Sequence, residues 1–102
     1  MSYVKPKKIV WVNSTATDVV AHRVYVVDEG GSIDPVSTQH VEVPVPTNEY
    51  EMPGTFDITE GRRKVGVAAV DATGNISNTI EQVFDFDFLP PIPPTNLQLV
   101  DS

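Results

Sequence analysis

The chain has 102 residues, 40% of them hydrophobic and 21% charged, which suits one domain that buries a core without staples. Asp and Glu total 14 against 7 Lys and Arg, so the net charge of −7 repels a phosphate backbone and argues against a nucleic-acid partner. There is no Cys, which removes disulfides, thiolate metal sites and Cys nucleophiles, and no apolar run approaches the ~18 residues of a membrane-spanning helix.

The choice of apolar side chain points to sheets. Val occurs 17 times, Leu 3 times and Thr 9 times. β-Branched residues lose rotamer freedom in helices and pack well on a pleated surface. With 9 Pro and 6 Gly as punctuation, the pattern predicts an all-β protein of short strands and frequent turns.

In chain order, residues 8–13 (KIVWVN) read as a strand with Ile9 and Trp11 on one face, followed by a polar loop, Asn13 to Asp18. Residues 19–28 (VVAHRVYVVD) form the strongest strand. Alternation sets Val20, His22, Val24 and Val26 inward and Ala21, Arg23, Tyr25 and Val27 outward. Glu29 to Ser32 is a turn. Residues 36–45 alternate again, with Val41, Val43 and Val45 opposite His40, Glu42 and Pro44; Pro44 and Pro46 cannot donate to a ladder, so this strand lies at an edge or ends there. Short extended pieces at 49–52 and 55–59 flank Pro53-Gly54. Residues 62–70 place Val65, Val67 and Ala69 on one face. Asp71 to Asn75 is a tight turn, with Gly74 free to take positive φ. Residues 79–88 put Phe84, Phe86 and Phe88 on one face and Asp85 and Asp87 on the other. Strands at this spacing suggest a sandwich. Residues 90–94 are a Pro-rich spacer, and residues 95–102 (TNLQLVDS) read as a final strand with Leu97 and Leu99 on one face.

Several of these segments resemble a fibronectin type III domain of the bacterial or phage type, over about residues 9 to 88. Residues 69–78, AVDATGNISN, are similar to the end of the F strand and the F–G turn of that family. Ile9 and Trp11 match its B strand, His22-Arg23-Val24-Tyr25-Val26 its C strand, and Ile58-Thr59-Glu60-Gly61 its E–F corner. The resemblance implies an immunoglobulin-like sandwich of about seven strands occupying residues 1–89. Two departures stand out. Arg63 falls where the family has a corner Tyr, so that corner is held another way. Only Met1 to Lys7, interrupted by Pro6, precedes the Trp strand, whereas residues 95–102 look like the opening strand of such a domain. Three readings follow: the last segment begins a further domain, folds back into the vacant first-strand slot, or is donated to a neighbouring subunit. A polyproline spacer of this length reaches about 15 Å.

Each candidate site has a plain structural alternative. His22, on the inward face, is a half-buried ring in preference to a metal ligand or proton switch. His40 has no partners at metal-site spacing. Asp71, Asn75, Asp85 and Asp87 contain the atoms of a calcium site, but their spacing suits a turn and a solvated strand face, with Asp71 bonding nearby backbone N–H groups. The Phe stripe reads as core. No Ser stands in a nucleophile elbow and no Gly-rich phosphate loop is present, so the expectation is no enzyme, no cofactor and no metal. Exposed Arg23, Tyr25 and Tyr50 form a candidate binding face, and Leu97 and Leu99 a candidate contact in the last strand. The expected role is a structural or interaction module. It would belong to a virion or surface assembly, with protein partners that include further copies of itself. The alternative is a spacer, adhesion or carbohydrate-recognition module of an extracellular bacterial protein.

Overall fold

Runs of alternating valine make the strands, and Pro, Gly and Asx residues end them. A computed structural model describes residues 7–56, 58, 60–88 and 91–101. The six strands among these are β1 (Lys7–Val10), β2 (Val19–Asp28), β3 (His40–Pro44), β4 (Glu49–Met52), β5 (Glu60–Asp71) and β6 (Ile80–Asp87), and the described residues form no helix. Every pairing is antiparallel. The order β3-β2-β5-β6 makes a four-stranded sheet, and β1 pairs with β4 in a two-stranded one.

The architecture is therefore all-β and sandwich-like. Ile9, Trp11, Met52 and Phe56 meet Val24, Val43, Val65, Val67, Phe86 and Phe88 in one core. The Phe stripe faces inward as its alternation requires: Phe84 and Phe86 lie 6.2 Å apart, and Phe86 stacks on Phe88 at 5.6 Å. Burying a side chain of this size contributes about 1.5–3 kcal/mol. A two-stranded layer is about 10 Å wide at the ordinary strand spacing, and a four-stranded one is about twice that. Among the described residues, the smaller sheet thus leaves part of the larger sheet's inner face without cover.

Three expectations are corrected. The strand expected from residue 36 begins only at His40. Asp34 holds residues 34–38 in a turn, its Oδ1 accepting from the Val36 and Ser37 N–H groups at 2.9 and 3.4 Å. β3 does lie at a sheet edge and end at Pro44, as its prolines demand. Val20, expected inward, is 46% exposed, because the register shifts between Val19 and Ala21 and leaves Val20 in a bulge. The described part of the last segment, residues 91–101, forms no strand and is exposed throughout.

The outer face of the larger sheet is covered as well. The loop from Glu29 to Gln39 crosses small residues there. Ile33 lies over Gly66, so that a Cβ at Gly66 would come within 2.6 Å of Ile33 Cδ1. Near the start of β5, Arg62 pairs with Glu29 at 2.7 Å and Arg63 Nε stands 3.9 Å from Asp28 Oδ1. Expectations for Met1 to Pro6, for Asp57 and Thr59 in the 55–59 piece and the corner, and for the spacer start at Leu89 and Pro90 lie outside the described residues. No helix among the described residues is long and apolar enough to cross a membrane.

Candidate interaction site

Arg23 and Tyr25 do meet, but on the carbonyl of Pro35 and not at a free surface. Both stand on the outer face of β2, where the 29–39 loop passes over them. Arg23 Nη1 donates to Pro35 O at 3.0 Å, and its Nε donates to Glu42 Oε1 across the β2–β3 pair at 3.2 Å. The Tyr25 hydroxyl donates to the same Pro35 oxygen, and its ring packs 5.5 Å from the His40 ring. Tyr25 is fully buried, which corrects the expectation that it is exposed. Burial pushes its phenol pKa up, so the group stays a neutral donor. Alternation alone assigned the outer face to solvent. The signals for a cover were Gly66 inside an otherwise valine-rich strand and the apolar pair Ile33 and Pro35 inside a loop.

Tyr50 belongs to the other sheet, opposite Ile9 in the β1–β4 register. Its ring meets Phe56 edge-on at 6.0 Å, and its hydroxyl accepts from the Thr55 N–H at 3.0 Å. It closes over Gly54 as the lid of a turn. Arg23, Tyr25 and Tyr50 therefore do not form one exposed face.

The titratable candidates are held by structural bonds. His22 is buried, with its ring 6.0 Å from Trp11. Nε2 accepts from the Ser14 N–H at 3.2 Å, so Nδ1 carries the proton and has no partner among the described residues. Desolvation lowers the His22 pKa below its ordinary 6.5 and keeps the ring neutral. Asp71 organises its turn: Oδ1 accepts from the Thr73 and Asn75 N–H groups at 3.0 and 2.8 Å, and Oδ2 accepts from Asn75 Nδ2 at 3.0 Å. The Asn75 amide heads the bonds that hold this carboxyl below its usual range. Asp85 and Asp87 sit away from that turn, opposite Arg62 and Glu60 on β5. Among the described residues no three His, Asp or Glu side chains gather as a metal-binding group.

Leu97 and Leu99 are the candidates that stand open, with relative exposures of 102% and 101%. A second open feature lies beside β1, the strand next to which the resemblance left a slot vacant, and the residues that flank it were not anticipated. Val10 and Ile80, at 66% and 68% exposure, flank a cleft between β1 and β6. Its floor includes Val65 and Val67, and Trp11 lies at one end. In sequence, Val10 sits out of phase between two core residues, and Ile80 precedes the Phe stripe. Both positions carry an apolar side chain where a solvated strand would carry a polar one.

Comparison with family models, with curated proteins and with solved structures finds no match.

Proposed function

We propose that this chain is a non-catalytic structural and interaction module of the fibronectin type III kind, working within a larger protein assembly such as a virion or a surface array. The observation that carries the reading is the exposed segment 91–101, which keeps Ile92, Leu97, Leu99 and Val100 in water. A cluster of exposed apolar side chains costs solubility and marks a contact. The strand arrangement supports the fold reading: the segments matched to strands C and F fall in one sheet, and the segment matched to B falls in the other. The non-catalytic reading draws on the commitments of His22, Asp71 and Arg23, which each bond to backbone or turn groups.

The test is solution mass by light scattering over a wide concentration range, on the full chain and on one ending at Leu89. Association of the full chain alone is the expected result. Two monomers at every concentration, with no change in stability, would set the reading aside.

A further inference from the structure

Two strand edges lie open side by side. Among the described residues, β1 pairs only with β4, and β6 pairs only with β5. Between them run two adjoining hollows of about 180 and 360 Å³, which share Ile9, Val10 and Phe84. One end of this groove lies between Trp11 and Ile80, and the other between Lys7, Lys8 and Phe86. An open edge of this kind offers unpaired N–H and C=O groups to any extended chain.

We infer that residues 95–101 of a second copy of this chain fill the groove, adding a strand antiparallel to β1. This rests on the assembly reading above and specifies its contact. Length fits first: seven residues extend about 23 Å at ~3.3 Å each, and β6 borders the groove over the similar run from Ile80 to Phe86. Patterning fits next: Leu97 and Leu99 share a face, and Val65, Val67 and Phe84 supply an apolar floor. Charge then sets direction. Asp101 is the one charged residue of the arm. An antiparallel arm brings it to the end lined by Lys7 and Lys8 together with Asp85, where Lys8 is already paired with Glu49 at 2.8 Å and Lys7 is the cation for it to meet, whereas the reverse direction would leave it beside Trp11, Ile80 and the like-charged Glu81.

That direction also favours another copy over the chain's own arm. β6 finishes at Asp87, beside the lysine end of the groove. To enter from the Trp11 end, a chain's own arm must travel back the length of the groove and then reverse. Pro91, Pro93 and Pro94 keep that stretch extended and oppose a tight reversal. Each copy offers one arm and one groove at different places, so the contact closes by reciprocal exchange between two copies or runs head-to-tail into chains or rings.

The absence of Cys allows single-thiol chemistry on the full chain. Equimolar Val10→Cys and Gln98→Cys chains, treated with a short bis-maleimide, are expected to give a cross-linked heterodimer. Val36→Cys, 71% exposed on the outer-face loop, is expected to give none with Gln98→Cys. A Leu97→Asp/Leu99→Asp chain is expected to weaken association on the order of 100-fold or more, since both leucines would be buried in the groove. Both positions are exposed in the single chain, so that variant folds normally. Association that persists while the cross-link forms at position 36 and not at position 10 would overturn the groove and keep the assembly reading. A monomer in which a Val10→Cys/Gln98→Cys chain links to itself would show closure by the chain's own arm and overturn exchange. A monomer with neither cross-link would overturn both.

Discussion

Gly54 and Tyr50 form a lock whose strength follows from the geometry. Gly54 has φ of +54°, in the left-handed region, and a Cβ there would lie 2.6 Å from Tyr50 Cε2, with the rest of the phenol end closer still. Gly54→Ala therefore adds a backbone cost of about 1–2 kcal/mol for leaving glycine out of that region. It also forces the ring away, at about 0.5–1.5 kcal/mol for the edge-on Phe56 pair and about 0.5–1 kcal/mol for the Thr55 N–H bond. Reduced freedom of the unfolded chain returns about 0.4–1 kcal/mol. The net loss is about 2–3 kcal/mol. At a urea slope of about 1–1.5 kcal/mol/M this lowers the unfolding midpoint by about 2 M. Emission from Trp11, the single Trp and a buried one, reports the transition. The steric share is isolated by a double-mutant cycle. In a Tyr50→Ala background Gly54→Ala is expected to cost only the backbone share, leaving a coupling of about 1–2 kcal/mol. Gly74→Ala serves as control, because Gly74 has φ of +93° with nothing within 4 Å of the added carbon. Equal costs of Gly54→Ala in both backgrounds would refute the lock.

Three further outcomes follow from the same structure. His22 has its folded pKa depressed below 6.5, so its stabilising contribution is complete above that value and is lost as pH falls from there toward the folded pKa; His22→Phe is expected to flatten the stability curve between about pH 7 and 5, measured by urea midpoints at each pH, and an unchanged slope would reject the assignment. Asp71→Ala is expected to lower the thermal midpoint clearly, while Asp85→Ala leaves it within error, because Asp71 holds its turn and Asp85 faces solvent; equal effects would contradict the turn role. Since Asp71 and Asp34 both sit below the usual 3.8, what they contribute is present above that pH and lost only at lower values, apart from the His22 window. Gly66→Ala is expected to destabilise the full side-chain set yet to be tolerated in an Ile33→Ala background, read by denaturant midpoints, since Ile33 occupies the space the new methyl needs.

How far sequence reasoning reached differs between the parts of the molecule. The β2 and β6 strands were readable because period-2 alternation is strong over many residues, and the Phe stripe packs as that period demands. The Asp71 turn was readable because Asx chemistry is local. The burial of Tyr25 was not, because it depends on a loop returning over the sheet to place the Pro35 carbonyl, and alternation carries no information on what covers a face. The final segment misled for the opposite reason. Residues 95–101 have strand patterning and no strand beside them, and a strand needs its ladder as much as its side chains. The β1–β6 groove was legible only as a vacant first-strand slot beside the Trp strand; that Val10 and Ile80 flank it was not, because what borders the slot depends on how the two sheets stack, which no local window contains.

The two faces of the larger sheet together narrow where a partner can add to it. Its outer face is sealed from within the chain, by Ile33 on Gly66 and by Pro35 on Arg23 and Tyr25. A partner docking there would first have to displace that loop, break the Arg23 bond to Pro35 and leave the buried Tyr25 hydroxyl without its acceptor, the last at about 1–3 kcal/mol. The inner face carries no such cost where the smaller sheet stops short. Val10 and Ile80 are already in water at the groove, and among the described residues no strand pairs with the β1 edge there. An added strand would therefore gain ladder bonds and apolar burial together without breaking a native contact. Removal of the loop's hold should make the contrast measurable. Pro35→Gly is expected to loosen the loop and raise hydrogen exchange along β2 while leaving association unchanged, whereas Val10→Asp is expected to abolish association with β2 exchange intact. Association that failed in the loop variant and survived in the groove variant would place the contact on the outer face instead.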